Sequence, residues 1–161
     1  MPSAQSLQAF HNDARIKAKY VLRVRAHAKP DRLIQGIGWA GGAGCAIGCT
    51  LESYDHARYP VELGIPTQLA YLEDQIFEGL PVRQAQKWPA RFLSAIRPGA
   101  DLSLVWPRFV VWLLRVELAH YSTDRTRTAI LRVVSLYEGL LDGKRATPEE
   151  WARATRATRW A

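Results

Sequence analysis

Gly36-Ile37-Gly38-Trp39-Ala40-Gly41-Gly42-Ala43-Gly44-Cys45-Ala46-Ile47-Gly48-Cys49 holds six of the chain's eleven glycines and both of its cysteines. Glycine serves where a backbone must take positive φ or lie close to something else, so this density argues against a plain helix. Two short apolar arms, Arg32 to Trp39 and Ala43 to Leu51, flank the Gly41-Gly42 pair. That pattern predicts a small Gly-rich β-hairpin over about 32–51. On a strand, Cys45, Ile47 and Cys49 share one face, and the small residues opposite admit a second backbone. The alternative is a loop at Gly41 to Gly44 that delivers Cys45 to a helix N-terminus, with Cys45 and Cys49 one turn apart. Gly48, Ile47 and Thr50 weigh against that helix, and the hairpin is preferred.

The rest of the chain reads as helices. Asp13 to Ala28 carries Ile16, Tyr20 and Val24 as an apolar stripe and is stopped at Pro30. Glu52 to Leu63 reads as a short helix or an irregular loop. Thr67 to Leu80 is amphipathic, with Leu69, Leu72, Ile76 and Leu80 inward and Glu73, Asp74 and Glu78 outward. Val82 to Ile96 is helical with a break at Pro89. Leu102 to Tyr121 is apolar around most of its circumference and is the expected centre of the core. Asp124 caps a helix over 125–141, and Thr147-Pro148-Glu149-Glu150 is a capping box that starts the last helix. The sum is a mainly α protein: a single-domain helical bundle over 1–161, built around a central apolar helix at about 102–121.

Charge is unevenly placed. The net charge of +7 splits into seven Lys/Arg against two acids in 1–51, one against six in 52–78, and fourteen against seven in 79–161. Basic ends around an acidic middle favour an anionic partner, nucleic acid or a nucleoprotein. Arg23 and Arg25 on the first helix and Arg153, Arg156 and Arg159 on the last are the expected contacts, with Trp151 or Trp160 as a stacking platform. No helix-turn-helix, zinc-finger or RNP signature accompanies them. The longest uncharged run in the most apolar region, Phe109 to Leu114, is too short to span a bilayer, so no membrane partner is expected. Two cysteines without a signal-peptide pattern imply reduced thiols and a cytoplasmic protein.

Chemistry has one candidate. Cys45 as nucleophile needs a base, for which His56 is nearest in sequence and His120 is another candidate, and a group to orient that base, for which Asp55 stands adjacent to His56. Were 45–56 one helix, sulfur and imidazole would lie roughly 16 Å apart, so the chain must turn between them. Packing is the simpler role for both thiols. One Cys-x-x-x-Cys pair with His56 falls short of a structural zinc set, so neither metal nor cofactor is expected.

The motif series Gly42-Ala43-Gly44-Cys45-Ala46-Ile47-Gly48-Cys49, then Glu62-Leu63-Gly64-Ile65-Pro66, Leu72-Glu73-Asp74-Gln75-Ile76-Phe77-Glu78-Gly79-Leu80-Pro81 and Trp88-Pro89-Ala90-Arg91-Phe92-Leu93, resembles a family of uncharacterised bacterial and phage-encoded proteins. The resemblance covers about residues 13–115 and carries no catalytic residue with it. It implies a mobile-element setting, in which small proteins bind host or defence machinery; together with the basic helices this gives the expectation of a small non-enzymatic binding protein that acts on nucleic acid or a nucleoprotein complex and inhibits a host defence system. The alternative expectation is a cysteine-dependent hydrolase or transferase.

Overall fold

In a computed structural model, which describes residues 7–118 and 123–159, the chain is mainly helical with one small antiparallel hairpin. It divides into two compact units at Ser103/Leu104. No glycine- or proline-rich run marks that boundary.

After a 3-10 turn (Ala9–Asn12), the first unit continues with α1 (Ala14–Ala28), capped by Asp13, whose Oδ1 accepts from Arg15 N at 2.7 Å. Tyr20, Val21, Val24 and His27 are its buried residues. The hairpin is smaller than the sequence suggests: β1 (Trp39–Ala40) and β2 (Ala43–Gly44), joined through Gly41 and Gly42, both at positive φ. The expected second arm becomes α2 (Ala46–Leu51), so 45–51 is the helical alternative and not a strand. Every residue of α2 is buried, and it packs against α1, α4 (Thr67–Gly79) and α6 (Trp88–Ala95). Between them lie α3 (Arg58–Leu63) and the single turn α5 (Val82–Ala85). The expected break in 82–96 falls at Gln86–Lys87, because Pro89 sits in the first turn of α6, where a missing N–H costs nothing.

The glycines explain why α2 can be enclosed. A Cβ on Gly44 or on Gly48 would overlap the Gly38 carbonyl oxygen and lie 3.0 Å from its carbon. The 36–39 backbone therefore lies directly against the first turns of α2. Cys45 N donates there, to Ile37 O at 2.6 Å and Gly38 O at 3.2 Å. Thr50 Oγ1 donates to Ala46 O at 2.8 Å, which satisfies a buried hydroxyl within the helix.

The second unit holds α7 (Val105–Trp112), which runs into a π-helical segment (Leu113–Leu118), then α8 (Asp124–Leu141) and α9 (Pro148–Arg159). The helix expected to centre the core is these first two pieces. Among its described residues only Leu102, just before α7, and Pro107 and Val110 are buried, while Trp112 is 51 % exposed. Among the described residues the fully enclosed helix is α2 instead. Thr123, not Asp124, caps α8. The capping box of α9 forms as read, with Thr147 N donating to Glu150 Oε2 (2.7 Å) and Glu150 N to Thr147 Oγ1 (3.2 Å). Among the described residues, no helix is long and apolar enough to cross a membrane.

Candidate functional site

Cys45 occupies the N-cap of α2 and is 1 % exposed. Facing it, α4 presents Asp74 and Glu78, one turn apart. One ligand atom from each of these three side chains lies within 4.8 Å of the other two. The outward placement expected for Glu73 and Asp74 is overturned: Glu73 is 0 % and Asp74 4 % exposed, and only Glu78 reaches solvent. The inward stripe of α4 is Leu69, Ala70, Glu73, Asp74 and Phe77. The acids face inward onto partners from other elements: His56 and Tyr54 of the loop before α3 for Asp74, and Tyr59 of α3 for Glu73.

His56 donates from Nε2 to Asp74 Oδ2 at 3.1 Å, and Tyr54 donates its hydroxyl to the same oxygen at 3.3 Å. The His56 ring is stacked on Tyr71 (4.2 Å between centroids, 11° between planes) and meets Tyr54 edge-on at 5.0 Å. Glu78 Oε2 accepts from Gly36 N at 2.8 Å, which ties the Gly-rich loop over the cluster. The Tyr54 ring lies against Gly38, where a Cβ would come within 2.6 Å of it. Asp74 Oδ1 is buried and makes no hydrogen bond. Burial, and next its interaction with the Asp74 carboxylate, push the Cys45 thiol up to about 12. At neutral pH the sulfur is a thiol.

The expected Cys45–His56–Asp55 arrangement is therefore not the one formed. Asp55 is exposed and its Oδ1 accepts from Ala57 N at 3.0 Å, a local turn role. The carboxylate that holds His56 is Asp74, and no hydrogen bond joins His56 to Cys45 among the described residues. Cys49 points elsewhere, with its thiol donating to Gly44 O (3.3 Å) and Arg32 O (3.4 Å). His120 lies outside the described residues.

Deeper on the same helix, Glu73 accepts from Tyr59 Oη at 2.7 Å through Oε2, and Oε1 has no partner. Burial pushes its carboxyl up to about 8, against the lowering effect of the Tyr59 hydrogen bond.

The basic residues fall into two sets. In the first unit Arg23 is engaged locally: it donates to Thr50 O at 3.0 Å, pairs with Glu52 at 3.5 Å and covers the Tyr20 ring. It is not a free contact. Arg25 is exposed. In the second unit Arg153 and Arg156 are exposed on α9, and Trp151 is half-buried with its ring edge-on to Tyr137 at 4.9 Å, so it packs the α8–α9 pair rather than offering a platform. Trp160 and the Arg159 side chain lie outside the described residues. Arg132 on α8, which position in the chain did not single out, lines a cleft of about 280 Å³ with Ser135, Leu136, Glu150, Arg153 and Ala154. Its signal was there: Arg132 follows Leu131 on the exposed side of an amphipathic helix.

Comparison with protein-family models, with curated proteins and with solved structures yields no match to this chain.

Proposed function

We propose that the protein is a small non-enzymatic binding protein whose α8–α9 pair engages a polyanion, nucleic acid or a nucleoprotein complex. The observation that carries this reading is the α8–α9 cleft. Arg132 and Arg153 share its lining, and Arg156 follows three residues on. Among the described residues none of the three has a carboxylate within ion-pair range. Two acids of the same unit are engaged elsewhere: Glu138 accepts from Arg115 Nε at 2.9 Å, and Glu150, which also lines the cleft, serves the capping box. Guanidinium groups without local partners are suited to bidentate capture of phosphate. The resemblance to phage-encoded proteins makes a host defence nucleoprotein the partner of choice.

A cysteine nucleophile is the weaker reading, because an enclosed sulfur held in the thiol form lacks both approach and charge. Alkylation separates the two readings. Cys45 in the folded protein should react with iodoacetamide at pH 7.5 far more slowly than a free thiol, whereas rapid labelling would favour chemistry.

Fluorescence anisotropy with labelled single-stranded and duplex oligonucleotides tests binding directly. Replacing Arg153 and Arg156 together by alanine should weaken binding by about 10- to 100-fold, on the scale of losing two charge-assisted contacts. Helicity should stay unchanged because both side chains are exposed. Wild-type affinity in that double variant, or no binding by the native chain, contradicts the proposal.

A further inference from the structure

The geometry points to a metal site: we infer that Cys45, Asp74 and Glu78 hold one divalent transition-metal ion, zinc by donor type, with His56 positioning Asp74. The reading is independent of the α8–α9 proposal. A tetrahedral ion bound at about 2.0–2.3 Å sets its ligand atoms about 3.6 Å apart. The three donor atoms already lie within 4.8 Å of one another, so side-chain rotation of about an ångström completes the set.

Four features favour an ion over a plain hydrogen-bonded cluster. Asp74 Oδ1 is buried, has lone pairs and has no hydrogen bond, an arrangement that is costly without a partner. Two carboxylates and a sulfur are gathered with no Lys or Arg paired to Asp74 or Glu78 among the described residues; His56 is the one basic group at the cluster. One oxygen of each carboxylate is held by an outer partner, Asp74 Oδ2 by His56 and Tyr54 and Glu78 Oε2 by Gly36 N, which restrains both side chains as metal sites require. Finally, Glu78 is exposed while Cys45 and Asp74 are buried, so the cluster reaches the surface at Glu78. One sulfur with two oxygens suits zinc or cobalt(II) better than magnesium or calcium, which take oxygen alone. As the metal–sulfur bond forms, the thiol proton passes to solvent.

The test uses the full chain stripped with EDTA, dialysed, and titrated with Co²⁺ and then Zn²⁺. One equivalent of Co²⁺ should bind and give a near-ultraviolet thiolate-to-cobalt charge-transfer band, which Zn²⁺ then bleaches. Cys45→Ser should abolish the band, and Glu78→Gln, at an exposed position, should weaken Co²⁺ binding at least tenfold. Cys49→Ser should leave band and affinity unchanged. Absence of stoichiometric binding or of the thiolate band in the wild-type chain overturns the site, whether or not the buried variants fold. So does a band that survives Cys45→Ser or disappears in Cys49→Ser, or native affinity in Glu78→Gln.

Discussion

Gly48→Ala is expected to destabilise the first unit by more than about 3 kcal/mol, beyond the usual range for an overpacked core. Helix propensity alone predicts the opposite sign, a gain of about 1 kcal/mol for alanine over glycine inside a helix. The new methyl group, however, would stand on the Gly38 carbonyl oxygen, 3.0 Å from its carbon and 3.3 Å from Trp39 Cβ. The clashing atoms are mainly backbone, so no rotamer change relieves them. Moving the loop aside breaks the hydrogen bonds from Cys45 N to Ile37 and Gly38 and from Gly36 N to Glu78. Gly79→Ala is the control: it lies at the end of α4 with nothing within 4 Å, and it should leave stability unchanged or slightly raised. Urea denaturation at fixed pH compares the three proteins. A Gly48→Ala chain as stable as wild type would mean that the 36–39 backbone does not lie against α2.

The second large effect is on the pH dependence of stability. The Glu73 carboxyl, pushed up to about 8 in the folded chain against an ordinary 4.5, is protonated at neutral pH. Between those two values the folded state holds a proton that the unfolded state has released. Stability therefore falls as pH rises through this window, and the full penalty is reached above about 8. The groups around the carboxyl are the Tyr59 hydroxyl, which donates to it, and the neighbouring Asp74 carboxylate, whose charge adds to the upward push. Glu73→Gln keeps an acceptor for Tyr59 and removes the titration. Near pH 4.5 the variant and the native chain should be of similar stability. The variant should then gain steadily and be more stable by several kcal/mol at pH 8.5. Melting curves across pH 4.5–9 in EDTA, which keeps any cation away from Asp74, provide the comparison. Parallel curves for the two proteins would refute a neutral Glu73.

Where the sequence was informative, it was so through local chemistry. The span of α1 follows from Asp13 and the Tyr20/Val24 spacing, α4 from the Gly64–Pro66 start and the Gly79–Pro81 stop, and α9 from the Thr147–Glu150 box. The features it concealed depend on partners distant in the chain. Gly48 reads as a helix breaker until the Gly38 carbonyl, ten residues earlier, is found against it. Asp74 reads as a solvated acid until His56 and Tyr54 are found turned towards it. Counting leucines placed Leu69 inward correctly, but the other residues that α4 buries are Ala70, Glu73, Asp74 and Phe77 rather than Leu72, Ile76 and Leu80. Arg23, read from the sequence as a nucleic-acid contact, pairs with Glu52, which α2 leaves at its C-cap in a left-handed turn.

The central claim is that α8 and α9 bind phosphate through unpaired arginines, and the salt dependence of binding tests it most directly. For the native chain, log K for an oligonucleotide should fall linearly and steeply with log salt. In the chain with Arg132, Arg153 and Arg156 all replaced by alanine the slope should be shallower by about 2 to 3, the number of phosphate contacts removed. A native slope near zero, or the same slope in both proteins, would contradict the account.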